Sequence, residues 1–247
     1  MILKDVSFRT PQENILFDEV LLHLAEQGAT PQTLRFWESE ELFIVLGKIG
    51  KLKEEIRVEA ALKHRIPVVR RFSGGGTVLQ GPGCLNFSLI LSKSQDPTLG
   101  DLHRSYRFIL GKVAQALSLL KVEAVFQPPS DLSLKETNKK ISGNAQHRAR
   151  RYILHHGTLL YQFDLIQMER FLKMPRQMPF YRRNRAHEDF VANLPLKEED
   201  LDIKKAFQRV FGAEQEQNHL TLQEDACLKD FLKNKPTLVD LNNSVIF

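Results

Sequence analysis

Two short stretches hold the residues best suited to chemistry. Arg70-Arg71-Phe72-Ser73-Gly74-Gly75-Gly76-Thr77-Val78 closes an apolar run with two arginines and three glycines, and Lys139-Lys140-Ile141-Ser142-Gly143-Asn144-Ala145-Gln146 sets a lysine before a second run of small residues. Glycine admits positive φ and lets backbone N–H groups approach an oxyanion with no Cβ in the way. Nearby cations would neutralise that anion. Together the two stretches describe a site where bare backbone meets an anionic ligand. The local alternatives are plain: a tight hairpin also uses three glycines, and an exposed hairpin lysine also accounts for Lys140. The glycine run lacks the GxxxxGK[ST] spacing of a P-loop and the GxGxxG of a dinucleotide site. On a strand Arg70 and Arg71 point to opposite faces, as do Lys139 and Lys140, so one of each pair can enter a site.

Two further candidates are weaker. His155 and His156 are adjacent on an apparent strand, project to opposite sides and cannot easily share a metal, so no structural metal is expected. Cys84, just after the glycine run, is either a nucleophile of depressed pKa or a buried, inert thiol, and no base stands near it in sequence.

These residues need elements to position them. Apolar spacing between Glu13 and Gln27 predicts a helix with Gly28 as its stop. Thr33–Trp37 and Leu42–Leu46 read as adjacent strands, Glu54–His64 as a helix, Ile66–Phe72 as a strand and Leu85–Leu91 as a strand with one face in and one out. Asp101 can cap a helix from Leu102 to Leu120. Val122–Phe126 and Asp131–Lys135 read as short strands, and Lys140–Gln146 and Tyr152–Phe163 as a strand pair. Asp164 can start a helix through Leu172. A long loop, 174–187, bears Arg182, Arg183 and Arg185. Helices at Glu198–Phe211 and Leu222–Leu232 follow, the second opened by a Thr221/Glu224 capping box. Strands that follow one another directly favour antiparallel pairing, so the fold class is α+β. The expected domain organisation is a single domain over 1–247, with 197–247 a short helical C-terminal extension.

Composition narrows the classes. A chain of 247 residues can bury a core without disulfides or metals. Its two cysteines, Cys84 and Cys227, have no CxxC spacing and fit a reducing compartment. No apolar run approaches the ~18 residues of a membrane span, and the N-terminus lacks a secretory h-region, so a cytoplasmic protein is expected. Net charge is +5. Between His147 and His187 nine Lys or Arg stand against two acids, Asp164 and Glu169. That stretch is a solvated surface, a nucleic-acid site or a dock for an acidic protein. No recognition helix, RNA-binding signature or zinc finger accompanies it, so no nucleic-acid partner is expected.

Taken in order, Arg70–Val78, Leu85-Asn86-Phe87-Ser88, Lys140–Gln146 and His155-His156-Gly157-Thr158-Leu159-Leu160 resemble the lipoate–protein ligase family, which belongs with the biotin-protein ligases and octanoyltransferases. The resemblance runs from about Asn14 to Leu196 and implies a catalytic domain built on a mixed, largely antiparallel sheet flanked by helices. It implies that lipoate and ATP, with Mg²⁺, give lipoyl-AMP, and that the acyl group then passes to a lysine of a lipoyl domain. The acceptors implied are E2 components of 2-oxoacid dehydrogenases or the H-type protein of glycine cleavage. It assigns Lys140 to the carboxylate and α-phosphate. Arg71, Ser73, Gly74, Gly75, Gly76, Thr77, Gln80, Asn144, His156, Gly157 and Thr158 would line the acyl-adenylate site, and Val78 and Asp131 would lie near nucleotide and metal. The Arg-rich loop around Tyr181 would be a lid or an acceptor dock.

The chain departs from the family where Gln80 replaces a histidine, Cys84 an asparagine, and Ser130 the asparagine before Asp131. A full C-terminal accessory domain would not fit after Leu196, so such a chain is expected either to need a separate accessory subunit or to skip adenylation. The rival is a cysteine-dependent octanoyl- or lipoyl-transferase working from an acyl-carrier or lipoyl-protein donor. Its nucleophile would fall near Val125, or downstream of the HGT segment, where only the distant Cys227 stands. A biotin ligase would show a GRGRxGR-like loop, which is absent. A non-catalytic lipoyl-binding module would have less use for both Arg71 and Lys140.

Overall fold

The computed structural model describes residues 1–175, 177–197 and 202–241. In chain order the strands and α-helices are β1 (Ile2–Asp5), α1 (Pro11–Gln27), β2 (Thr33–Trp37), β3 (Phe43–Leu46), α2 (Leu52–Glu55), α3 (Val58–Lys63), β4 (Val68–Arg70), β5 (Val78–Gln80), β6 (Cys84–Ser92), α4 (Leu102–Ser118), β7 (Ala124–Gln127), β8 (Asp131–Leu134), β9 (Lys140–Arg148), β10 (Tyr152–Leu160), α5 (Ile166–Phe171), α6 (His187–Phe190), α7 (Ile203–Phe211), β11 (Gln215–Glu216) and α8 (Leu222–Asn234).

The main sheet has eight strands in the order β11-β1-β2-β6-β10-β9-β8-β7. Its β11–β1 and β1–β2 pairs are parallel and the others antiparallel. A second sheet, β4-β3-β5, joins β3 to β4 in parallel and to β5 antiparallel. This is the mixed, largely antiparallel α+β architecture expected from sequence.

Alternation along the central strands sends residues to two different layers. Phe87, Leu89 and Leu159 meet α4 and α7 in the largest core cluster, where Phe207 packs edge-on to Phe36 and against Phe87. Ile90 and Leu154, on the other face, meet α1 and α8, while Cys84 and Leu160 meet the second sheet. The polar residues Asn86 and Ser88 also lie on that other face, and both are buried. The expectation that β6 has one solvated face is therefore corrected: a central strand covered on both sides puts its polar face onto buried polar partners, not water.

Local chemistry fixes several ends. Thr10 and Glu13 form a capping box that brackets Pro11 at the start of α1, and Gly28 at φ +78° terminates the helix. Thr221 and Glu224 cap α8 likewise. Two expectations need correction. Thr33–Trp37 and Leu42–Leu46 are not neighbours: β2 lies in the main sheet and β3 in the second. The helix expected over Glu54–His64 is broken at Ile56, which is fully buried and bridges Leu172, so α2 and α3 are separate.

Of the expected helix Glu198–Phe211, residues 198–201 lie outside the described residues, and α7 runs from Ile203. The C-terminal segment is woven into the body. α7 packs on α4, α8 on α1, β11 extends the main sheet, and Lys4 of β1 forms a buried 3.0 Å ion pair with Glu224. No helix among the described residues is long and apolar enough to cross a membrane.

Candidate active site

The glycine segment leaves β4 and is clamped by its own arginines. Arg70 donates through Nη1 to the carbonyls of Gly47 and Gly50, each at 2.9 Å. Arg71 turns the other way and is buried. Its Nη2 donates to Gly74 O at 2.6 Å and Gly76 O at 2.8 Å, and its Nε to Ser73 Oγ at 3.1 Å. Burial lowers the Arg71 guanidinium to about 10, which leaves it cationic at neutral pH. The carbonyls of the loop are thus gathered around a buried cation. Gly75 is required on two counts: its φ is +89°, and a Cβ there would stand 2.8 Å from Arg71 Nη2. Thr77 donates from both N and Oγ1 to Glu55 Oε2, at 3.2 and 2.6 Å, and Val78 starts β5.

Lys140 opens β9 at a register irregularity against β8. Its Nζ lies 2.8 Å from Asp131 Oδ1. Asp131 is the cross-strand partner of Gly143, and a Cβ on Gly143 would be only 2.9 Å from Lys140 Nζ. The missing side chain at Gly143 is the space the lysine occupies. Tyr181, on a short 3₁₀ turn at Phe180–Arg182, donates its hydroxyl to Asp131 Oδ2 at 2.8 Å. Burial first, and then the Asp131 charge, push the phenol far above its ordinary value, so it stays a proton donor. The Arg-bearing loop is therefore latched to the site carboxylate. Within it Arg182 is buried, with its guanidinium over the Phe190 ring at 4.6 Å; it is not a solvated cation.

His156 of β10 connects the glycine segment to a buried charge pair. Its Nε2 is 2.7 Å from Ser73 Oγ and its Nδ1 3.5 Å from Asp18 Oδ2. Asp18 of α1 also takes Arg35 Nη1 at 2.7 Å and the Ser88 hydroxyl at 2.6 Å. Burial alone would raise this carboxyl, but Arg35, His156 and Ser88 together hold it below the usual carboxylate range. His155 faces the opposite layer, stacked on Phe87, and burial takes it down to about 3.

The expected residues form two groups. Ser73, Gly74, Gly75, Gly76 and Arg71 approach β9 where Ala145 lies: a Cβ on Gly75 would be 3.6 Å from the Ala145 Cβ. Ala145 pairs with His156 and Gly143 with Thr158. Ala145 and Gly143 share a face, separated by two residues of strand, roughly 7 Å. The glycine segment, His156 and the Lys140–Asp131 pair thus border one strip with almost no side chains. Thr158 accepts from Gln80 Nε2 at 2.6 Å and donates to Asn86 at 2.7 Å. Along this flank Trp37 Nε1, Gln80 Oε1 and Asn86 Nδ2 are buried without a partner among the described residues.

Asn144 is turned away. Its amide donates to Ser130 O at 2.9 Å, and its Oδ1 faces His155 in the opposite layer. Gly157 faces that layer too and leaves room for Asn144 Oδ1, which would lie 1.9 Å from an added Cβ. Cys84 is fully buried, and burial pushes its thiol up to about 12.

Sequence reading did not assign Asp18, Arg35, Ser88, Glu55 or Tyr181 to the site. A signal existed for Asp18: it is an acid on the apolar face of α1, three residues after Ile15. Ser88 and Tyr181 were flagged only through their surroundings, the Leu85–Ser88 motif and the Arg-rich loop, while Arg35 and Glu55 carried no signal because their partners are distant in the chain. Among the described residues no three His, Cys, Asp or Glu come together as a metal site.

The family described as the lipoyl protein ligase A/B catalytic domain matches residues 10–213. The octanoyltransferase LipM of Oceanobacillus iheyensis is 29% identical over 231 residues, covering 82% of each chain. A protein named "Probable lipoate-protein ligase A" of Mycoplasma genitalium is 30% identical over 166 residues, which are 67% of this chain and 47% of that one, so the match spans about half of the mycoplasmal protein. A lipoate-protein ligase A bound with ATP has the same fold, with a TM-score of 0.79 at 22% identity over 95% of this chain and 94% of that one. The archaeal bi-partite lipoate protein ligase of Thermoplasma acidophilum aligns with a TM-score of 0.77 at 21% identity over the same shares. With its glycine segment, lysine motif and sheet order in place, the chain belongs to the lipoyl protein ligase A/B catalytic domain family.

Proposed function

We propose that the protein is an ATP-dependent lipoate–protein ligase that forms lipoyl-AMP and passes the lipoyl group to a lysine of a lipoyl-domain protein. The observation that carries this reading is the Lys140–Asp131 pair set beside the side-chain-free strip under the glycine segment. In the first half-reaction a lipoate oxygen bonds to the α-phosphorus while pyrophosphate leaves, which brings anionic groups together. The Lys140 ammonium, the glycine amides and the buried Arg71 charge offset that repulsion. Asp131 keeps Lys140 aimed at the strip. Mg²⁺ would arrive with the nucleotide and supply charge neutralisation, with Asp131 as the protein group to hold it; one carboxylate plus phosphates and water suits Mg²⁺. The apolar cluster of Trp37, Phe43, Val45 and Val78 offers the acyl chain its surroundings.

The second reading is an octanoyl- or lipoyl-transferase that needs no ATP, favoured by the octanoyltransferase relative. Against it stands the state of the thiols. Cys84 is sealed and protonated, and Cys227 lies on α8, where burial also raises it. Two free cysteines suit a cytoplasmic enzyme. The acceptors would be E2-type or glycine-cleavage H-type lipoyl domains.

Purified protein with ATP, Mg²⁺, lipoate and an unmodified lipoyl domain is expected to add one lipoyl mass to that domain. Modification from an acyl-carrier thioester without ATP would replace this reading with the transferase. Activity that appears only when a second subunit is added would assign adenylation to a two-part enzyme.

A further inference from the structure

The Ser73–His156–Asp18 chain is not used by adenylation, and its geometry is that of a directed proton path. Asp18 is already bound by Arg35 and Ser88, so the fold needs no third partner there. Yet His156 presents Nδ1 to this carboxylate at 3.5 Å. A lone pair facing a carboxylate would be repelled, so the ring proton resides on Nδ1. Nε2 is then an acceptor, 2.7 Å from Ser73 Oγ, and the hydroxyl proton points at it. Arg71 Nε donates to the same oxygen. Ser73 can therefore pass its proton to the ring and take another.

The path lies beside the strip where transfer would occur: Ser73 is buried beneath the glycine segment and His156 is partly exposed. His156 is the cross-strand partner of Ala145, which the glycine segment approaches, and Lys140 lies above Gly143 two positions along. The acceptor lysine must lose a proton as it attacks, and Lys140, itself a cation, cannot take it.

We propose that Ser73 and His156 form the proton-accepting relay for the attacking lysine amine, with Asp18 positioning the imidazole. This rests on the acyl transfer to lysine proposed above. The amine nitrogen bonds to the acyl carbon and the acyl C–O bond to phosphate breaks, releasing AMP. The nitrogen's surplus proton goes to Ser73 Oγ as the Ser73 proton moves to His156 Nε2. The imidazolium so formed faces the Asp18 carboxylate. The charged and titratable groups around the ring are Asp18 from α1, Arg35 and Ser88 behind it, Arg71 behind Ser73, and His147 and His155 on the two strands. His155 stays neutral through burial, and burial also lowers His147.

The test is single-turnover transfer from preformed lipoyl-AMP to an unmodified lipoyl domain, followed against pH. In the wild type the log rate should rise with pH with a slope that falls from about 2 to about 1, since both ring and amine must be deprotonated. His156→Gln should be slower by about 100-fold and keep a slope of about 1 throughout. His147→Gln should retain the break, and added imidazole should restore part of the rate to His156→Gly. If His156→Gln is compromised in folding, Ser73→Ala, which leaves the buried Asp18–Arg35 pair intact, should show the same loss. A break that survives in both the His156 and Ser73 variants overturns the relay while leaving the ligase reading intact. A wild-type protein that transfers nothing from lipoyl-AMP overturns both.

Discussion

Lys140 Nζ sits 2.8 Å from Asp131 Oδ1 because Gly143, the strand partner of Asp131, has no Cβ to occupy the space. A cation, a carboxylate and an absent side chain are thereby joined on neighbouring strands. Removing the cation should remove the electrostatic stabilisation of adenylate formation. Lys140→Ala is expected to lose about 100- to 1000-fold in lipoate-dependent pyrophosphate release while its circular dichroism and thermal midpoint stay near wild type. Full activity in that variant would end the assignment of Lys140.

The same geometry makes Gly143 a positioning residue. A methyl at this position would stand 2.9 Å from Nζ and 3.0 Å from Cε of Lys140. Those atoms end a flexible chain, so Gly143→Ala should move the lysine rather than unfold the protein. We expect a stability change within about 1 kcal/mol by urea denaturation, with an activity loss of about 100-fold.

Gly157 gives the opposite balance. Its added Cβ would meet Asn144 Oδ1 at 1.9 Å and Phe87 Cζ at 2.7 Å, inside the core. Phe87 is fully buried, and Asn144, though partly exposed, is held by its bond to Ser130 O, so Gly157→Ala should lower stability by about 1–3 kcal/mol, read from the urea midpoint.

The buried Asp18–Arg35 pair sets an acid limit. The Asp18 carboxyl is lower in the folded protein than in the unfolded chain, where it lies near 3.8. A depressed carboxyl stabilises above its unfolded value, and that contribution is lost as pH falls through the lower folded value. Thermal midpoints should therefore fall as pH drops below about 4. Asp18→Asn leaves Arg35 buried without its counter-charge and should cost about 3–5 kcal/mol at neutral pH.

Cys84 should be chemically silent. With its thiol pushed up to about 12 and no exposure, it should resist iodoacetamide at pH 8 until the protein is unfolded, as peptide mapping would show. Cys84→Ser is expected to stay active. Complete loss of activity in a folded Cys84→Ser variant would reopen the thioester route.

The features legible in the chain are those whose causes are local. Thr10 with Glu13, and Thr221 with Glu224, announce helix starts because a capping box needs only four consecutive residues. The glycine run, the Lys140 motif and the β9–β10 pairing follow from spacing within one or two elements. The sheet assignment of Thr33–Trp37 and Phe43–Leu46 was not legible, since both are apolar strands a few residues apart and nothing in either says which sheet it joins. The break at Ile56 was hidden for a similar reason: its bridge to Leu172 competes with helix continuation from far along the chain.

The sequence by itself determined which side chains could carry charge, hydroxyl and bare backbone to an anionic ligand, because residue type and short-range periodicity are written residue by residue. Tertiary structure alone decided that Asp18 stands behind His156, that Tyr181 latches Asp131, and that Asn144 turns to the other layer. Each depends on groups on separate elements being brought within 4 Å of one another, and only chain packing sets those distances.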